Sequence, residues 1–221
     1  KVDERPQTRV EFTYDYSISR HEVICADFNG VMKDVSGLQL ECAQDSLPVS
    51  NVTFFEAVLY ANALSRKMGL DSAYAYTAVE LDAGKHCRDL KDFAFMPAAG
   101  GFRLPTEAEW VFAAEQAWNP DQGWNFVNSG LAPHKVCTSG ENTQYLCDMA
   151  GNMLEWVNDV RALYNGDSLK NFVGGVFNSN SAAGIVKGGV SVKPLTKCTC
   201  TKEGMIIRFF IQAGQIMLAS A

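Results

Sequence analysis

The string CDMAGNMLEW, residues 147–156, places Asp148, Gly151, Asn152 and Glu155 close together and closes on Trp156. Two carboxylates, a glycine and an amide at this spacing suit neither a regular helix nor a strand. A turn, a metal loop and a catalytic loop all draw on these residue types, because each needs oxygen donors on a backbone free to bend. A second string, KCTC, holds Cys198 and Cys200 one residue apart. Such a pair can hold a soft metal, but disulfide geometry opposes its closing on itself.

Other chemistry is sparse. There is no Cys-x-x-Cys pair, so the usual structural zinc spacing is missing. His21, His86 and His134 are not at metal spacing and read as loop or surface residues. No nucleophile elbow, phosphate loop or dinucleotide fingerprint occurs. Acid pairs for glycoside hydrolysis would meet only in the fold. Asn51 in NVT fits a glycosylation acceptor, but the start of a helix is the reading adopted. Trp110 and Trp156 read as core. Trp118 and Trp124 flank NPDQG, and an exposed one could stack on a sugar.

These residues need elements to position them. Thr53 with Glu56 and Thr106 with Glu109 are capping-box patterns, each followed by an apolar face. They predict two helices, one from Thr53 to a stop at Gly69, the other ending near Trp118. Residues 1–50 read as short strands and loops: VEFTYDYSISRHEV as an edge or hairpin strand, CADFNGVMKDVSG as turns. YAYT reads as a short strand, and no helix is expected from 119 to 221. Two helices among many short strands, without βαβ alternation, predict an α+β fold in a single domain, 1–221.

Of 221 residues, 47% are hydrophobic and 20% charged, which predicts a packed core. The net charge of −6 without a Lys/Arg cluster argues against nucleic acid. No apolar run reaches membrane-span length, and MIIRFFIQAGQIMLASA, interrupted by Arg208, reads as a buried strand and its tail. A start at Lys1 without Met fits a removed leader. Seven scattered cysteines without zinc spacing favour disulfides and an oxidising, extracytoplasmic compartment.

Four strings in order, PVSNVTFFEAVLYANALSRKMG, FRLPTEAEWVFAA, CDMAGNMLEWVND and VKGGVS, resemble the sulfatase-modifying-factor family, the formylglycine-generating-enzyme domain, over about 48–189. CAQDSLPV, YANALSRKMGLDSAYAYT and GWNFVNSG add a narrower resemblance to paralogous, often lipid-anchored surface proteins of fibre-degrading rumen bacteria. The resemblance implies a C-type-lectin-like fold with little regular structure. It implies calcium in the 147–156 loop, held by the side chains of Asp148 and Glu155 and the carbonyls of Gly151 and Met153. The structural alternative has Asp148 and Asn152 capping turns and Glu155 pairing an arginine such as Arg103. Asn128 could match a second calcium loop, which the segment after it does not support.

The family's enzymes use copper on two thiolates to oxidise a sulfatase cysteine to formylglycine. Aligned on Gly188-Gly189, the first of those cysteines falls on Lys193 and the second on Cys198. Val190 replaces a serine and Leu154 a tryptophan. Lys193 cannot serve as a thiolate. The resemblance therefore implies the scaffold without its reaction: an extracytoplasmic binding or structural module, its protein or glycan ligand met by the surface around 160–200. The alternative is a copper/thiol oxidase using Cys198 and Cys200. Cys137–Cys147 is the expected disulfide and Cys42–Cys87 the next, with Cys25 joining Cys198 or Cys200.

Overall fold

The computed structural model describes residues 8–35, 38, 40–115, 123–139, 145–160, 168–176, 184–188, 205–207 and 210–212. Three helices lie among them: α1 (Cys25–Met32), α2 (Phe54–Lys67) and α3 (Glu107–Glu115). Both capping boxes form. Thr53 Oγ1 accepts from the Glu56 amide at 3.1 Å, and Glu56 Oε2 accepts from the Thr53 amide at 2.8 Å. The same reciprocal pair joins Thr106 and Glu109, at 3.2 and 2.7 Å. The chain leaves α2 through Gly69 at φ +70°, the left-handed region that glycine enters without cost. Asn51, exposed and itself at φ +61°, lies before the cap, so Thr53 does the capping there.

α1 corrects the turn reading of residues 25–37. Asn29 and Gly30 are poor helix formers, yet Phe28, Val31 and Met32 fall on one helical face and are buried. Phe28 stacks on Tyr60 of α2, with centroids 5.2 Å apart and planes within 5°. The Asn29 amide bonds both the N–H and the C=O of Leu40, at 3.1 and 2.9 Å. Packing overrides propensity, and among the described residues the helices number three rather than two.

The strands are short: β1 (Arg9–Glu11), β2 (Tyr16–Ile18), β3 (Tyr74–Ala75), β4 (Ala78–Leu81), β5 (Cys87–Lys91), β6 (Ala94–Phe95), β7 (Phe102–Arg103), β8 (Leu154–Val160), β9 (Ser168–Lys170), β10 (Gly175–Val176), β11 (Gly184–Gly188), β12 (Met205–Ile207) and β13 (Phe210–Gln212). β8 is the hub. It pairs antiparallel with β11 along one edge, while antiparallel β10 and parallel β12 share the other. β1 pairs parallel with β9, and β2 pairs antiparallel with β13, which also pairs β7. Residues 9–18 are thus two strands in two sheets and not a hairpin, and β12 and β13 place strands within the apolar C-terminal stretch. Among the described residues the core has two clusters. α2 is buried almost all round, with Trp156 against Phe54 (6.0 Å between centroids). Trp110, Ala113 and Ala114 of α3 pack with Leu146, Met149 and Val157.

Two disulfides are formed among the described residues. Cys137 joins Cys147 with Cα atoms 4.9 Å apart, and Cys25 joins Cys42 with Cα atoms 6.2 Å apart. The second pairing corrects both Cys42–Cys87 and the pairing of Cys25 with Cys198 or Cys200. Its cause is the unforeseen helix: α1 begins at Cys25, and Asn29 one turn on draws residues 40–42 across it. Cys87, the first residue of β5, is a buried free thiol that lies against the start of α2. Its N–H donates to Glu56 Oε1 at 3.0 Å, and its C=O accepts from Thr53 Oγ1 at 2.7 Å. Among the described residues, no helix is long and apolar enough to cross a membrane.

Candidate functional site

The 147–156 loop turns twice through left-handed residues, Asp148 (φ +60°) and Asn152 (φ +62°), a region that Asn and Asp tolerate. Gly151 lies against Trp124, where a Cβ would stand 2.2 Å from the Trp124 carbonyl oxygen. Only glycine fits this approach. The Asn152 N–H then donates to that same carbonyl at 2.7 Å.

Each polar side chain of the loop has a defined task. Asn152, fully buried, donates through Nδ2 to Glu22 Oε2 (2.7 Å) and the His134 carbonyl (3.0 Å), and accepts the His134 N–H at Oδ1 (2.9 Å). Glu22 Oε1 accepts the Met153 N–H at 3.2 Å. Asp148 Oδ2 accepts the Cys137 N–H at 2.7 Å and Oδ1 the Ser139 hydroxyl at 3.1 Å, so this carboxylate holds the disulfide-closed segment. Glu155 Oε2 accepts the Trp110 indole N–H at 2.8 Å, joining β8 to α3. Arg103 places both terminal nitrogens on Glu109, at 2.8 and 2.7 Å.

Glu22 is the residue that sequence reasoning missed. It sits in SRHEV, where no spacing marks an acid destined for full burial beside a loop 130 positions away. The histidines find local partners. His21 Nδ1 meets the Glu22 carbonyl at 2.7 Å, His86 meets Glu56 at 2.9 Å, and His134 stacks on Trp124 with centroids 3.8 Å apart. Trp110 and Trp156 are buried as expected, and one face of Trp124 is covered by His134. Trp118 lies outside the described residues. Asn128 caps a turn, accepting the Asn125 N–H at 2.7 Å and donating to the Gly123 carbonyl at 3.0 Å.

Asp148 and Glu155 are 2% and 0% exposed, so their charges are removed from water. The recorded partners of Asp148 are neutral donors, which leave lone pairs for a cation. A Cβ on Gly188 would stand 2.8 Å from the Met153 carbonyl oxygen, so the position beside this carbonyl is kept for glycine. Among the described residues no three His, Cys, Asp or Glu side chains gather for a metal, so a cation here would rely on backbone oxygens. Oxygens of these types suit a hard ion, while the Asp148 carboxylate is turned to the Cys137 segment and that of Glu155 to Trp110.

Lys193, Cys198 and Cys200, the positions of the copper pair, lie outside the described residues. Of the described cysteines, four are in disulfides and Cys87 is buried. Burial, with Glu56 nearby, pushes the Cys87 thiol up to about 12, far from a ready thiolate. The described residues thus offer no two-thiolate copper site.

A model of the sulfatase-modifying factor enzyme 1-like domain matches residues 1–209. The chain belongs to that family. The match is wider than the 48–189 region carrying the sequence resemblance. Among solved structures, Treponema denticola variable protein 1 is similar at a TM-score of 0.73 and 24% identity, over 92% of this chain and 86% of that one. PvdO from Pseudomonas aeruginosa gives 0.66 and 16%, over 92% and 82%, and CarF gives 0.59 and 22%, over 90% and 87%. At these identities the likeness shows the fold: α+β, of the formylglycine-generating-enzyme type. A curated relative, chaperone protein LppX of Paenibacillus barcinonensis, is 29% identical over 175 residues, 64% of this chain. The match spans 61% of that relative's length. The family's scaffold and two disulfides suited to an oxidising compartment are therefore in place.

Proposed function

We propose that this chain is an extracytoplasmic binding or structural module that keeps the formylglycine-generating-enzyme scaffold without its oxidase chemistry. The observation that carries this reading is Lys193 at the first cysteine position of the KGGVSVKPLTKCTC segment. An ammonium repels a copper ion and offers no soft donor. The thiol inventory supports it, since the described cysteines are either bonded or, in Cys87, buried and protonated. Leu154, half-buried in β8, stands where the enzymes carry a tryptophan. The relative named as a chaperone is in keeping with a scaffold used for binding.

Within this reading Asp148, Glu155 and the carbonyls of Gly151 and Met153 hold calcium, which orders the loop electrostatically and takes no part in a reaction. The function is tested with copper(I) and a cysteine peptide. Thiols are counted by alkylation and mass, with and without copper(I), and the chain is then incubated with a sulfatase-derived cysteine peptide under oxygen. The expected result is an unchanged peptide and no copper-protected thiol pair. Conversion to formylglycine, or mutual protection of Cys198 and Cys200 by copper, overturns the reading.

A further inference from the structure

We propose that the groove between residues 10–18 and α3 is a docking site for an arginine side chain presented by a partner protein. This deepens the binding-module reading and rests on it. The groove offers about 680 Å³, and Leu146 in its lining borders the 147–156 loop. Four aromatic rings form its wall. Phe12, Tyr14 and Tyr16 touch one another with centroids 5.8, 5.9 and 6.3 Å apart. Phe112 of α3, 47% exposed, closes the cluster at 5.6 Å from Phe12 and 6.5 Å from Tyr16.

The rings are held before any ligand arrives. The Tyr14 hydroxyl donates to Glu109 Oε1 at 2.6 Å and the Tyr16 hydroxyl to the Glu109 carbonyl at 3.2 Å. Burial, with Glu109 beside them, pushes both phenols up, so they remain neutral donors. A preset wall reduces the ordering cost of binding.

Charge decides the occupant. Among the described residues, the one charged group on the wall is Asp15, an exposed carboxylate, with Ser17 beside it and no Lys or Arg. Ring faces attract cations through their quadrupoles, and the carboxylate adds a full negative charge. The overall charge of −6 works in the same direction at longer range. A guanidinium suits such a wall better than an ammonium, because it is flat, weakly hydrated, stacks on rings and can engage one carboxylate with two N–H groups. A neutral sugar would use the rings and leave the charge unused.

The test is an NMR titration of the full chain with a blocked Gly-Ser-Arg-Ser-Gly peptide and its citrulline counterpart, which has the same shape without the charge. The expected result is a saturable shift of the Phe12, Tyr14, Tyr16 and Phe112 ring resonances with the arginine peptide. Citrulline, Phe112→Ala and Asp15→Asn each weaken it by about tenfold. Both positions are exposed, so both variants keep the fold. Equal response to citrulline, shifts confined to other residues, or tighter binding of a neutral oligosaccharide to the same rings overturns the proposal. The oxidase test above is independent: formylglycine production would remove the module reading while leaving this titration unaffected.

Discussion

Glu109 is the acceptor on which several parts of the chain converge. Its Oε1 takes Arg103 Nη2 at 2.7 Å and the Tyr14 hydroxyl at 2.6 Å, while Oε2 takes Arg103 Nη1 at 2.8 Å and the Thr106 N–H at 2.7 Å. Both partners of the ion pair are buried, at 0% and 2% exposed. Burial alone would raise the Glu109 carboxyl, but the Arg103 guanidinium overrides it and holds the group low. Two charges in a dry site are strongly destabilising when separated and much less so when both are removed. Glu109→Ala or Arg103→Ala is therefore expected to cost about 3–5 kcal/mol in urea unfolding. Glu109→Leu with Arg103→Met together costs well under the sum of the single losses. Additive losses would mean that the two charges act independently.

At the scale of elements, Asp159 joins three pieces. From the end of β8 it accepts the Glu107 N–H at the start of α3 (2.8 Å) and the Gly174 N–H before β10 (2.8 Å). Desolvation raises its carboxyl from 3.8 to about 6, with Glu107 and Glu109 adding to it against those two N–H bonds. The folded state therefore holds the proton more tightly than the unfolded chain. Asp159's contribution is fully present below about pH 4 and falls as pH rises toward about 6. Glu109, held low, has the opposite sign, losing stability as pH falls. The signature is thus a difference: comparing thermal unfolding of the wild type with Asp159→Asn, the wild type loses relative stability between about pH 4 and about pH 6. Parallel profiles would show that Asp159 does not titrate there. Sequence legibility also divides by element. α2 and α3 were readable because a capping box and an apolar face are local signals. α1 was not, since Asn29 and Gly30 weaken its pattern and the contacts that make it a helix come from Tyr60 and Leu40. The central place of β8 was not readable either, because three partners follow it in the chain at non-local separations.

For the whole molecule, the 147–156 loop was legible as a special turn and its network was not, because Glu22, Trp124 and His134 reach it only through the fold. With calcium bound as proposed, that network would make cation binding and covalent closure interdependent. The Cys137 N–H donates to Asp148 Oδ2, so the Cys137–Cys147 disulfide helps set the position of a proposed calcium ligand. Calcium that binds only the folded chain stabilises it by about 2.7 kcal/mol at a hundred times its dissociation constant. The unfolding temperature is expected to rise from chelator to millimolar calcium. Glu155→Gln, which keeps an oxygen for the Trp110 indole, should remove most of the rise while preserving the fold. The paired change Cys137→Ser with Cys147→Ser costs about 3 kcal/mol by loop closure alone and should also shrink the calcium response, because Asp148 loses its fixed neighbour. Scanning calorimetry of the three proteins, with and without calcium, separates the two effects. A wild type indifferent to calcium, or a Glu155→Gln variant with the full response, would leave Asp148 and Glu155 as purely structural carboxylates.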